Sequence, residues 1–277
     1  NQPLLVSRAP GRLDVMSGAA DFSGSLCVQA PIAQASWCAL QSQSQDEIRI
    51  FAFDNFHAHR APNFFRIASQ QLTQLSFAQL KAHCSNLSST HIAPLAALLA
   101  LRDGDFVAAQ QIAKTGAALL LASDIAPRAG LASTGSAVVA SVLAWCGMFK
   151  IVLTTQQQLA LSAQVHANLT CDSTPDGSDL SQVAAALFAR ESQLQVFDPQ
   201  TMQRTFVALP DDVTLYGFTC SEYHQNSDDV YRKARCATFM GRRILRDLIP
   251  HEMRANDDNL HLANVSVDVW RALRDLI

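Results

Sequence analysis

Ala126-Pro127-Arg128-Ala129-Gly130-Leu131-Ala132-Ser133-Thr134-Gly135-Ser136-Ala137 joins a short apolar run, Gly116 to Ala122, to a longer one that continues to Met148. The first run has the length of a buried strand and the second that of a helix. Between them, glycines and small hydroxyl residues let main-chain N–H groups approach an anion, and a helix start adds roughly half a positive charge. The stretch can therefore cradle phosphate. It lacks the lysine of a P-loop, and an ordinary capped helix start has the same composition, so support has to come from elsewhere.

A second segment lies near the start: Arg8-Ala9-Pro10-Gly11-Arg12-Leu13-Asp14-Val15-Met16-Ser17-Gly18-Ala19-Ala20-Asp21-Phe22-Ser23-Gly24-Ser25. Glycines and small residues separate Arg12 from Asp21 across a strand-to-loop transition. An arginine and an aspartate on one loop can bind phosphate and sugar hydroxyls respectively. A solvated loop would carry similar residues.

Outward from these segments, strand-like text dominates the beginning, at Leu4 to Ser7, Leu26 to Gln41, Glu47 to Phe53 and Phe64 to Ile67. Helical spacing follows at Phe77 to Cys84, Ile92 to Leu101, Thr134 to Met148, Thr155 to Asn168 and Asp179 to Ala189. The apolar stretch Ser136 to Leu153 reads as a buried helix followed by a strand. Strands are expected again at Leu194 to Val196, Thr205 to Ala208 and Val213 to Thr219, then helices at Asp228 to Leu248 and Val267 to Leu276. Strands, helices, strands and helices in that order predict an α+β fold in two lobes. The boundary is expected near residues 196–205, giving a first lobe over 1–200 and a second over 201–277.

The 277 residues are 49% hydrophobic and 16% charged, with a formal net charge of −3. A chain of this size buries most of its surface on folding, which excludes extensive disorder. The charge offers no footprint for nucleic acid or an anionic membrane, so a small molecule is the expected partner. Oligomeric state is left open. No run of about 20 apolar residues marks a membrane span. The seven cysteines, Cys27, Cys38, Cys84, Cys146, Cys171, Cys220 and Cys236, show no Cys-x-x-Cys pair and read as free thiols. Free thiols and the absence of a secretory layout at Asn1 to Arg8 predict a cytoplasmic protein.

In this order and at this separation, the two segments resemble those of the GHMP kinases, most closely the galactokinase and L-arabinokinase branch. The resemblance continues at Gly217-Phe218-Thr219-Cys220 through His224 and at Tyr231 to Arg243. Ser17-Gly18-Ala19-Ala20 matches the small residues that arabinokinases carry where galactokinases have Gly-Glu-His. The resemblance implies a ribosomal-protein-S5-like first lobe and a ferredoxin-like second lobe, the latter incomplete. It also implies transfer of the ATP γ-phosphoryl group to the anomeric hydroxyl of L-arabinose or galactose, with Mg²⁺. Arg12 would then stabilise charge on the transferring group, Asp21 would hold sugar hydroxyls and Tyr231 would line the sugar pocket. Gly130, Leu131, Ser133, Thr134, Gly135 and Ser136 would wrap the phosphates, with the Thr134 or Ser133 hydroxyl on Mg²⁺.

The family's catalytic aspartate sits in Cys-Gly-x-Met-Asp-Gln. The matching stretch here, Cys171 to Gln182, has no Asp-Gln pair. Asp179 is the candidate base, with Asp176 as the alternative. His166 stands where the family has a Mg²⁺-binding glutamate, and the glycine-rich motif expected near the C-terminus is missing. These departures leave a second reading open, a homologue that binds sugar or nucleotide without turnover. A third is an α+β binding module with no nucleotide site. Other residues have plainer readings. His57 and His59 have no third ligand nearby, the basic cluster from Arg232 to Arg246 reads as a solvated face, and Trp37, Trp145 and Trp270 read as packing.

Overall fold

The computed structural model describes residues 2–18, 20–53, 61–127, 129–170, 180–217, 227–249 and 260–274. The first half comprises β1 (Leu4–Met16), α1 (Ala20–Ser23), β2 (Cys27–Gln43), β3 (Glu47–Ala52), β4 (Asn63–Ala68), α2 (Ser69–Leu72), α3 (Phe77–His83), α4 (Ser89–Asp103), α5 (Ala109–Ala113) and β5 (Gly116–Ser123). Then come α6 (Ser133–Phe149), α7 (Thr155–Thr170), α8 (Leu180–Phe188), β6 (Gln193–Phe197), β7 (Arg204–Ala208), α9 (Ser227–Leu248), a 3-10 turn at Leu262–Asn264 and α10 (Val267–Leu273). The expected α+β architecture is observed.

The seven strands form one sheet in the order β4-β3-β5-β2-β6-β7, with β1 on the other edge of β2. β5 pairs with the second half of β2, Ser36 to Gln43, and β6 with its first residues, Cys27 to Gln29. The pair β6–β7 spans the expected boundary, so hydrogen bonding continues through residues 196–205. Helices cover one face. α6 is apolar on nearly all sides and is correspondingly the central helix, with Val138, Val139, Val142 and Trp145 inaccessible. Trp145 Nε1 donates to the Pro94 carbonyl of α4 at 2.8 Å, satisfying the one polar atom of a buried indole. The opposite face keeps Leu4, Val6 and Phe64 more than half exposed.

Three expectations are corrected. Residues 213–217 form no strand: they pair with nothing in the sheet, and Tyr216 is 75% exposed. β propensity alone does not make a strand. No strand follows α6 either, because Lys150 ends it in the left-handed region (φ 56°) and five residues later α7 begins. Trp270 is half exposed, not packed. Among the described residues no helix is long and apolar enough to cross a membrane.

Candidate active site

The site begins at an irregularity in the pairing of β1 with β2. Leu5 lies beside Gly147 of α6, and Ser7 Oγ donates to the Ala140 carbonyl, so odd-numbered residues face the helices. The register with β2 then shifts between Pro10 and Arg12, where Gly11 alone lies opposite Ile32, Ala33 and Gln34, so the extra residues belong to β2. Across this irregularity the alternation changes phase, from Ser7, bonded to α6, to Arg12, bonded through Gln29 to α8. Arg12 and Asp14 therefore turn toward the helices, and Leu13 turns away.

On that face Arg12, only 7% exposed, opens a chain of hydrogen bonds. The Gln29 amide satisfies both its ends only with oxygen toward Arg12 and nitrogen toward α8. Arg12 Nε then donates to Gln29 Oε1 at 3.1 Å, and Gln29 Nε2 donates to the Ser181 carbonyl at 2.8 Å. Ser181 Oγ donates in turn to Asp21 Oδ2. Arg12 Nη1 lies 3.2 Å from Asp14 Oδ2, which also accepts the Gly18 N–H at 3.1 Å. Two carboxylates thus lie near one guanidinium, with Arg12 and Asp21 buried and Asp14 partly exposed. Burial pushes the nearby Cys27 thiol up to about 12, and the charges of Asp21 and Asp14 push the same way, so Cys27 stays protonated.

The loop before α6 meets this cluster directly. The Arg12 main-chain N–H donates to the Leu131 carbonyl at 3.1 Å. Gly130 (φ 73°) and Ala132 (φ 60°) both adopt the left-handed region, which turns the chain sharply into the helix. Ala132 offers no side-chain cap. Among the described residues, the N–H groups of Ser133, Thr134 and Gly135 have no hydrogen-bond acceptor. Three unsatisfied donors at the positive end of a 17-residue helix suit the oxygens of a phosphate. Gly135 also faces α8: a Cβ there would lie 3.7 Å from Gln182. The arginine, the loop, the start of α8 and the aspartate thus close into one ring of contacts.

The fold thus brings Arg12, Asp21, Gly130, Leu131, Ser133, Thr134 and Gly135 into one region. Ser136 corrects the expectation. Its hydroxyl donates to the Ala9 carbonyl at 2.5 Å and accepts the Ser36 N–H at 3.1 Å, and its own N–H donates to the Ala132 carbonyl. A fully buried serine so engaged has no group left for phosphate. The proposed bases Asp179 and Asp176 lie outside the described residues, as does the Tyr231 side chain; its main chain belongs to α9. His57 and His59 also lie outside them. Arg235 of the basic cluster is no solvated residue: it is 5% exposed, with its guanidinium carbon 5.2 Å from the ring centre of Phe22, next to Asp21.

Gln29, Ser181 and Asp14 are the members that sequence reading missed. The signal for Gln29 was a polar residue inside the apolar stretch Cys27 to Ile32. Ser133 and Thr134 have half-buried hydroxyls suited to a hard cation, whereas His166 is 2% exposed. Among the described residues, no group of three or more His, Cys, Asp or Glu could hold a metal ion.

No family model matches the chain. It is similar to L-arabinokinase of Arabidopsis thaliana, 24% identical over 296 residues, covering 93% of this chain and 27% of that protein. The fold superposes on Lactococcus lactis galactokinase, crystallised with galactose, at TM-score 0.75 and 12% identity, covering 99% of this chain and 63% of that one. Mevalonate kinase of Methanococcus jannaschii gives TM-score 0.56 at 12% identity, covering 99% and 80%. The chain thus spans about a quarter of the curated relative and under two thirds of the galactokinase. The fold is that of the GHMP kinases, and in sequence the chain is similar to L-arabinokinase.

Proposed function

We propose that the chain carries the nucleotide and sugar sites of an ATP- and Mg²⁺-dependent sugar kinase. The reaction moves the γ-phosphoryl group of ATP to the anomeric hydroxyl of a monosaccharide, with L-arabinose or galactose as the candidate sugar. The reading rests on one observation, the closure of Arg12, Asp21, Ser181 and the Gly130–Gly135 loop into a single site. Phosphoryl transfer depends mostly on positioning and charge stabilisation. The free N–H groups of Ser133, Thr134 and Gly135 hold phosphate oxygens, Arg12 offsets charge on the transferring group, and Asp21 accepts from sugar hydroxyls. Asp179, or Asp176 in its place, takes the hydroxyl proton. The Ser133 and Thr134 hydroxyls would hold Mg²⁺, which neutralises phosphate charge when bound. We further propose a cytoplasmic location and two lobes dividing near residue 200, with no nucleic-acid or membrane partner.

An ADP-release assay across a panel of aldoses tests this reading. Turnover on L-arabinose or galactose is expected, and none on any sugar overturns it. Arg12→Ala should lower kcat about 10²- to 10³-fold with little change in sugar KM, as for loss of one charge-stabilising donor. Asp179→Asn should abolish turnover and spare sugar binding. The absent Asp-Gln pair between Cys171 and Gln182 favours a second reading, a homologue that binds without turnover. Sugar-dependent thermal stabilisation without ADP formation supports it.

A further inference from the structure

β5 and β6 share one edge of β2 but do not meet. β6 pairs with β2 only up to Gln29 and β5 only from Ser36, leaving the edge between them without a strand. A cavity of about 560 Å³ occupies this fork, within the range of small-molecule sites. Consecutive residues, Ala30 to Gln34 and Ser192 to Leu194, line it along the open edge, and none of Arg12, Asp14, Asp21, Gln29 and Ser181 does. It is therefore separate from the site of the Asp21 carboxylate. The two share a wall all the same: Leu131 lines the cavity, and its carbonyl accepts the Arg12 N–H.

The chemistry of the lining selects an occupant. Leu13, Ile32, Leu131, Leu194, Leu209 and Val213 make apolar walls, and the described lining residues include no lysine or arginine. Asp124 is their carboxylate. Its Oδ1 accepts the Ala35 N–H at 2.6 Å and its own N–H donates to the Ala35 carbonyl at 3.2 Å, which fixes it against the open edge of β2. Asp124 Oδ2 has no hydrogen-bond partner among the described residues. Apolar walls around a fixed acceptor repel an anion and suit a flat ring that carries donors. We infer that the cavity is a second binding site, for a planar aromatic or heteroaromatic molecule bearing N–H donors and no anionic group, and that its occupant acts on the phosphate loop through Leu131.

Calorimetric titration with benzamidine, and with benzoate as a control of the same shape and opposite charge, tests the inference without requiring phosphoryl transfer. Benzamidine should bind saturably and benzoate at least about tenfold more weakly, since a charge-assisted hydrogen bond is replaced by repulsion. Asp124→Asn keeps the Oδ1 acceptor for Ala35 and should weaken benzamidine by about tenfold. Leu194→Trp should abolish binding by filling the fork, and Val213→Trp, on the loop above it, does the same should the first variant not fold. Equal binding of the two probes, or benzamidine binding unaffected by both tryptophans, overturns the site. Saturating benzamidine should also shift the affinity for a non-hydrolysable ATP analogue, and the analogue should shift benzamidine by the same factor. An unshifted analogue overturns the link through Leu131, and an analogue that does not bind at all counts against the kinase reading, leaving the cavity result standing.

Discussion

A Cβ placed on Gly11 would lie 2.9 Å from the carbonyl oxygen of Leu131, the oxygen that accepts the Arg12 N–H. Two isoleucine side-chain ends, Ile32 Cδ1 and Ile125 Cδ1, would lie at 3.0 Å and can rotate aside, whereas the carbonyl is main chain. Gly11→Ala should therefore push the loop from β1. The expected cost is about 1–3 kcal/mol, the range for overpacking, read as a shift in urea midpoint. Loss of affinity for the ATP analogue should accompany it. A variant of native stability and native affinity would show that the loop does not depend on this contact.

Ser136→Ala separates two roles that one hydroxyl can play. The Ser136 hydroxyl bonds Ala9 and Ser36 in the core. Its removal leaves a buried carbonyl and a buried N–H without their partner, at about 1–3 kcal/mol each. Stability should fall by several kcal/mol while analogue affinity in the folded fraction is retained. The opposite pattern, intact stability with lost affinity, would return Ser136 to the phosphate site.

These two residues mark where sequence reading stopped. The loop, Arg12 and Asp21 were legible because small residues next to a helix start and isolated charges beside glycines carry a local meaning. A serine hydroxyl has no such local meaning, since the same atom serves phosphate or core according to what lies across the sheet. Gln29 and Ser181 were hidden for a related reason, each being defined by a partner far along the chain. The irregularity that sets Gly11 opposite Ile32, Ala33 and Gln34 is visible only in the pairing register. Residues 213–217 have strand-like composition yet pair with nothing in the sheet, a fact that composition cannot carry.

The buried thiols predict an alkaline limit. Burial raises Cys38 from 9.0 to about 12 and Cys84 and Cys146 to about 11, while burial and two carboxylates raise Cys27 to about 12. Below pH 9 both folded and unfolded thiols hold their protons and stability is unaffected. Between pH 9 and the folded values, the unfolded chain releases protons that the native state keeps. The unfolded state then binds fewer protons, so stability falls as pH rises, by up to about 1.4 kcal/mol per pH unit for each thiol. Urea midpoints at pH 8, 9.5 and 10.5 should decline, and Cys38→Ala should make the decline shallower. Equal slopes in both proteins would assign the decline to other groups.

Gln29 tests whether the buried chain from Arg12 to Asp21 acts as a unit. The residue is inaccessible, and its amide joins a guanidinium to the main chain of α8. Gln29→Leu preserves much of the volume but leaves Arg12 Nε without its acceptor and removes the link to α8, at an expected cost of about 2–5 kcal/mol. Ser181→Ala removes the hydroxyl on Asp21 and keeps the Ser181 carbonyl that Gln29 uses. If Gln29 positions the first turn of α8, the hydroxyl can reach Asp21 only while the amide is in place. The second substitution should then cost less once the first is made, with a coupling of at least about 0.5 kcal/mol in a double-mutant cycle on stability. The same cycle on kcat separates positioning from packing, because lost packing alone would lower the urea midpoint and leave turnover of the folded enzyme unchanged. Strict additivity in both measurements would mean that Arg12 and Asp21 are held independently, and that Gln29 only fills the space between them.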